Sequence, residues 1–142
     1  MDVFQFRGRA ESRVAAAIED LAHEVIGAAI EVHRHLGPGL PECVYKKALS
    51  HELHLRGIPH ICEQPVDIFY KGVPVGDGRV DILVDDKLVL ELKSVEALAP
   101  AHREQARAYL VVTKLPLALL INFNVPILKD GIKRVINTTS PE

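Results

Sequence analysis

Two apolar runs separated by three polar residues constrain this chain more than any other feature. Val80 to Val84 and Leu88 to Leu92 flank Asp85-Asp86-Lys87. Runs of that length bounded by turn residues read as the two arms of an antiparallel hairpin. A three-residue turn pairs Val84 with Leu88 and sets Asp81 directly opposite Glu91, with Cβ atoms about 4.5–5.5 Å apart. A two-residue turn would set Asp81 against Leu90 and send the two carboxylates to opposite faces of the sheet. Side chains alternate along a strand, so Val80, Ile82 and Val84 are expected on one face and Arg79, Asp81 and Leu83 on the other. On the second arm Leu88, Leu90 and Leu92 share a face, and Val89, Glu91 and Lys93 share the opposite one.

Glu91 and Lys93 interrupt a stretch that otherwise reads as a buried strand. Charges in such a place usually have partners or a task. Two carboxylates buried together with no cation between them are costly. Two carboxylates that hold a divalent cation, with a lysine near the attacking water, form the set that metal-dependent phosphodiester cleavage uses. The plain alternative is a group of charges at strand ends on a solvated face.

At 142 residues the chain is long enough for a real core and reads as one domain. Apolar residues make up 48% of it, which argues against disorder. The net charge of −2 provides no global basic field, so a nucleic-acid partner must be held by local patches or by a metal. Cys43 and Cys62 have no metal-binding spacing and read as free, packed thiols of a cytoplasmic protein. The start of the chain shows no apolar secretory segment. The run from Leu115 to Phe123 is too short to span a membrane, so no membrane partner is expected. A homo-oligomer is compatible with this composition. His33 and His35 stand at i and i+2 near a helix end and diverge; His51 and His54 are better placed for zinc but have no evident third ligand.

The order of elements follows from periodicity and breakers. Ser12 is placed to cap a long helix reaching about His35, with Gly37-Pro38-Gly39 beyond it. A second helix is expected over Pro41 to Arg56, with Pro41 in its first turn and Gly57 after it. Strands follow over His60 to Tyr70, then the hairpin of Val80 to Val84 and Leu88 to Leu92. Pro100 opens a third helix reaching Thr113. Leu117 to Phe123 is apolar enough for a central strand, and Ile132 to Ile136 closes the chain. The order ααβββαββ predicts an α/β fold, a mixed sheet flanked by helices. The third helix serves as the crossover that makes its two flanking strands parallel.

Motifs spread along this order resemble those of one family. Gly39-Leu40-Pro41-Glu42-Cys43-Val44-Tyr45 matches the signature of the GxxExxY proteins. Ile30-Glu31-Val32-His33, Glu91-Leu92-Lys93-Ser94-Val95, Leu120-Ile121-Asn122-Phe123 and Asp130-Gly131-Ile132 are similar to the same family. The resemblance covers about Val25 to Ile136. It implies the restriction-endonuclease-like fold of the PD-(D/E)xK nuclease superfamily, with residues 12–137 as one nuclease-like domain and 1–11 and 138–142 as flexible tails.

The resemblance also implies roles. Asp81 matches the metal-binding Asp, with Val80 where the superfamily has Pro, and Glu91 and Lys93 match its (D/E)xK element. Glu42 matches the helix carboxylate found at many of these sites; apart from the family it reads as a carboxylate favoured by the helix dipole. Gln105 and Tyr109, at i and i+4 on one helix face, are spaced like a motif of RecB-type nucleases. They are expected to bond a phosphate or brace Lys93, or else to form an ordinary half-buried pair. Asp81, Glu91 and the Leu92 carbonyl would hold Mg²⁺, with Mn²⁺ as a substitute. The implied activity is hydrolysis of DNA, with RNA as the other substrate class. Arg103 and Arg107 flank the Gln105–Tyr109 face, either as contacts to backbone phosphates or as arginines that simply solvate the helix. The alternative is a catalytically inactive nucleic-acid- or protein-binding module on the same fold.

Overall fold

Two glycines in left-handed backbone, Gly37 at φ 70° and Gly57 at φ 70°, end the first two helices, a conformation that costs glycine nothing. In a computed structural model that describes residues 14–138, these helices are α1 (Ala16–Leu36) and α2 (Glu42–Leu55). The capping residue expected at Ser12 lies outside the described residues. Pro41 stands just before α2 as its N-cap, where its fixed φ suits the turn into the helix. The stripe Ala22, Val25, Ala28, Ala29 and Val32 of α1 is buried, as are Tyr45, Leu49 and Leu53 of α2.

Five strands follow: β1 (His60–Tyr70), β2 (Val73–Val84), β3 (Leu88–Lys93), β4 (Leu117–Asn122) and β5 (Ile132–Ile136), with α3 (Pro100–Thr113) between β3 and β4. The order is the expected ααβββαββ. The strands lie in the sheet in chain order; β3 and β4 pair in parallel and the other neighbours are antiparallel. A 3₁₀ turn at Leu128–Gly131 leads into β5. Asp85 and Asp86 take the left-handed conformation in the β2–β3 turn, at φ 50° and 56°. Asp tolerates it better than most residues. Val84 pairs with Leu88, the register of a three-residue turn.

The two faces of the sheet are covered by different helices. Ile82, Val84, Leu88, Leu90, Leu92, Leu117, Leu119 and Ile121 pack with α1 and α2. Val80, Val89, Ala118 and Val135 pack with Ala106 and Leu110 of α3. Every residue of β4, and all of β3 except Lys93, is buried. Each fully buried leucine contributes about 1.5–3 kcal/mol, so this pair of strands anchors the fold.

Three expectations need correction. β2 starts at Val73, not Val80, so β1 and β2 form a long hairpin. Val80 does not share a face with Ile82 and Val84 but faces α3. Cys43 and Cys62 are free but exposed, not packed. No helix among the described residues is long and apolar enough to cross a membrane.

Candidate functional site

The β2–β3 ladder ends at the pair Ile82 and Leu90. One step further, where Asp81 faces Glu91, side chains take over from backbone carbonyls. The Asp81 N–H donates to Glu91 Oε2 at 3.0 Å, and the Leu92 N–H donates to Asp81 Oδ2 at 2.8 Å. Each carboxylate is thereby fixed by the opposite strand. On the other side of β2, Cys62 pairs with Ile82 and Gln64 with Val80, so Glu63 lies opposite Asp81. Glu63 has φ 55° and makes no ladder pair with it. Both ladders lapse at Asp81, and there the alternation of β2 breaks. This is why Val80 and Ile82 face different helices. Glu63, Asp81 and Glu91 form a row of carboxylates across three adjacent strands.

The charges around this row come from α2 and from the end of β3. Lys46 Nζ lies 2.6 Å from Glu63 Oε2 and 3.2 Å from Asp81 Oδ1. Burial works against the Lys46 charge, but the bond to Glu63 and the charge of Asp81 outweigh it and push its pKa up. Glu91 is only 4% exposed. Burial first, and then the charge of Asp81, raise its carboxyl to about 7; the Asp81 N–H, Lys93 and Lys46 pull the other way. Glu42 stands one helical turn before Lys46. Burial and Asp81 raise its pKa, while Lys93 and Lys46 lower it. Glu42 thus shares an electrostatic neighbourhood with Asp81, Lys93, Lys46 and Glu63. Lys93 makes no ion pair within 4 Å among the described residues, and its charge acts on Glu42 and Glu91 from further off.

Neutral bonds hold the loops around these charges. Tyr45 is fully buried and stacks on Phe123 with ring centroids 4.5 Å apart. Its hydroxyl donates to Gly37 O at 2.5 Å and accepts the Leu40 N–H at 3.1 Å, which fixes the Gly-Pro-Gly turn before Glu42. Ser94 Oγ donates to Leu40 O at 2.6 Å, joining that turn to the residue after Lys93. Asn122, 2% exposed, accepts the Val95 N–H and donates to Val95 O, both at 3.0 Å. A Cβ on Gly131 would come 2.3 Å from Asn122 O, so this glycine lets the 3₁₀ turn close on the end of β4. Tyr45, Ser94, Asn122 and Gly131 therefore hold the loops beside these charges.

Gln105 and Tyr109 are placed differently. Gln105 is exposed. Tyr109 lies against Gly78, where a Cβ would meet its hydroxyl at 2.8 Å, and it accepts the Arg79 N–H at 3.3 Å. Among the described residues it makes no bond to Lys93; it braces β2 two residues before Asp81. Arg103 and Arg107 line a shallow cleft with Arg134, although Arg107 pairs with Glu104 and Arg134 with Glu19. His102 accepts the Ala99 N–H at the start of α3. His51 and His54 stack on each other. Among the described residues no three His, Cys, Asp or Glu side chains are grouped to hold a metal ion.

Lys46 and Glu63 stand at the site without belonging to any of the motifs in the sequence. Lys46 was detectable as the i+4 neighbour of Glu42 on α2. Glu63 carried no such signal.

No curated protein matches the chain. The family model of the PD-(D/E)XK nuclease superfamily matches residues 19–135, a span that holds α1 from Glu19 onward, all of α2, every strand up to Val135 and all the charged residues just described. With that match over most of its length, the chain belongs to the PD-(D/E)XK nuclease superfamily.

Proposed function

We propose that the chain is a Mg²⁺-dependent nuclease that hydrolyses phosphodiester bonds of DNA, with RNA as the other candidate substrate, and that residues 12–137 act as one catalytic domain in the cytoplasm. The observation that carries this reading is the facing of Asp81 and Glu91 across the end of a ladder, with the Asp81 N–H bonded to the Glu91 carboxylate and the Asp81 carboxylate to the Leu92 N–H, beside Lys93. Within the superfamily we assign the chain to the GxxExxY proteins. In support, Gly39 takes a left-handed backbone, φ 100°, Tyr45 ties down the turn before α2, and Glu42 feels the charges of Asp81 and Lys93.

The donor set suits a hard divalent cation. It consists of carboxylates, and Glu91, 4% exposed, is a buried acid set beside a second one, Asp81. Asp81 and Glu91 would hold Mg²⁺ or Mn²⁺. In a strand the N–H and C=O of one residue point to the same side. Because the Leu92 N–H reaches Asp81, its carbonyl faces β2 too and is available as a third ligand. The bound ion would supply charge to a phosphate and acidify a water. Lys93 holds the attacking water and stabilises charge that develops on the phosphate oxygens. Glu42 orients Lys93 from the first turn of α2. Arg103 on α3 is without an ion-pair partner among the described residues and contacts substrate backbone.

The test is a cleavage panel over single- and double-stranded DNA and RNA with Mg²⁺ and Mn²⁺. Lys93→Met should lower cleavage by about 10²–10³, the loss expected for one preorganised charge partner, while Mn²⁺ binding by calorimetry persists. Asp81→Asn should lose both, because an amide is a far poorer ligand for a hard cation. Undiminished cleavage by Lys93→Met would refute the assignment. No cleavage of any substrate by the wild-type protein would favour the inactive binding module, in which Lys46 is the permanent partner of Asp81.

A further inference from the structure

Asp81 has two carboxylate oxygens and both are engaged. Oδ2 accepts the Leu92 N–H, and Oδ1 faces the Lys46 ammonium at 3.2 Å. The same ammonium lies closer to Glu63, at 2.6 Å. Lys46 is therefore shared unequally between two carboxylates of one cross-strand row. One of them is a proposed metal ligand and the other is not.

We infer that Lys46 is a built-in counter-ion of this site: it neutralises Asp81 while no divalent cation is bound and retreats onto Glu63 when one is. This rests on the metal reading above. Three observations support it. An ammonium and a divalent cation on the same carboxylate repel each other, so the two compete for Asp81. Glu63 is the nearer acceptor and is half-exposed, at 45% of its side chain, so it can keep Lys46 without further burial of charge. Glu63 also holds a left-handed backbone, φ 55°, a state uncommon for a residue with a Cβ. That backbone brings its carboxylate beside Lys46 in place of a regular ladder position opposite Asp81. Arg79 Nη1, 3.8 Å from Glu63 Oε1, adds a second cation at that carboxylate, on the oxygen that Lys46 does not hold.

The inference makes Lys46 a positioning residue, and the two substitutions that test it have opposite signs. In calorimetric titrations of the full chain with Mn²⁺, Lys46→Met should tighten binding about tenfold, because a competing charge at salt-bridge distance is removed. Lys46→Gln should do the same. Glu63→Gln should weaken binding severalfold, because Lys46 loses its alternative acceptor and stays on Asp81. The double variant should bind as tightly as Lys46→Met alone. Circular dichroism of each variant establishes that the fold is kept. Equal affinity of wild type and Lys46→Met would overturn the inference and leave the metal reading standing. A loss caused by Glu63→Gln that is undiminished in the Lys46→Met background would also overturn it, since Glu63 would then be acting as a ligand. Absence of binding by every variant would overturn the metal reading and this inference together.

Discussion

The sheet has two unlike halves. β3 and β4 pair in parallel from Leu88 and Leu117 to Lys93 and Asn122, and nearly every side chain there is buried. β1 and β2 run on past the helices as a two-stranded ribbon, and Phe69, Tyr70, Val73 and Val75 near its tip are largely exposed. Irregularity is divided in the same way. The β3–β4 register is unbroken, whereas β1–β2 shifts between Ile68 and Phe69 and lapses at Glu63. The candidate site lies on the border. The packed half supplies Glu91 and Lys93, the root of the ribbon supplies Glu63, and β2 carries Asp81 between them. A strand gripped on both faces can hold a buried charge in one position, because neighbouring side chains leave it nowhere else to go. A ribbon open to water tolerates a left-handed residue and a shifted register, which lets an acidic side chain reach a lysine on another element.

The largest effect that sharpens this contrast is on stability. Leu90 is fully buried in the centre of β3. Leu90→Ala should cost about 2–5 kcal/mol, combining lost transfer free energy with the cavity left behind. Urea denaturation would measure it. A cost below about 1 kcal/mol would mean that the packed half is looser than its burial suggests.

The same contrast explains which parts were legible in the residues. The β2–β3 hairpin was, because its turn is short and its arms are apolar, and the register that sets Asp81 against Glu91 followed from counting. The outer half of β2 was not. Pro74, Gly76 and Gly78 are poor strand formers, and no apolar alternation marks a segment that buries little. Glu63 was out of reach for a geometric reason. Continuing the register of the Lys71-Gly72 turn, where Tyr70 pairs with Val73, would set Asp81 opposite Cys62. The one-residue shift between Ile68 and Phe69 brings Glu63 there instead. Nothing in those residues announces a bulge. Val80 was misplaced for a related reason: alternation holds only where the ladder continues, and at Asp81 carboxylate bonds replace it.

A smaller effect concerns the buried acid on the packed side of the border. The Glu91 carboxyl lies at about 7, above its ordinary value of 4.5, with burial as the main cause and Asp81 next. A carboxyl raised in the folded state favours folding when protonated. The contribution of Glu91 is therefore fully present below 4.5 and is lost as pH rises through about 7. Glu91→Gln keeps an oxygen to accept the Asp81 N–H and removes the titration. With a chelator present, its stability relative to wild type should rise by about 1–3 kcal/mol between pH 5 and pH 8. Denaturation midpoints at a series of pH values would show it. Parallel curves for the two proteins would mean that Glu91 is compensated in the folded state, and that the packed half does not hold an acid against its preference.

The smallest effect belongs to the ribbon, where the comparison is easiest to break. Phe69 is 61% exposed and Val75 59%. Lys71 Nζ sits 5.4 Å from the ring centre of Tyr70 at the turn. Replacing Phe69 or Val75 by Thr keeps a good strand former in place and removes little buried area. Each change should therefore alter stability by no more than about 0.5 kcal/mol. Because the apolar tip is the part most able to associate with other molecules, the Thr variants should also be at least as soluble as wild type. The site should keep its Mn²⁺ affinity, since neither residue touches Glu63, Asp81 or Lys46 and the shift between Ile68 and Phe69 lies in the backbone. Stability and calorimetry on the same variants answer both questions. A cost above about 1 kcal/mol would show that the ribbon folds against something and belongs with the packed half. A change in Mn²⁺ affinity with stability unchanged would show instead that the shifted register transmits from the tip to Glu63, joining the two halves through the site they share.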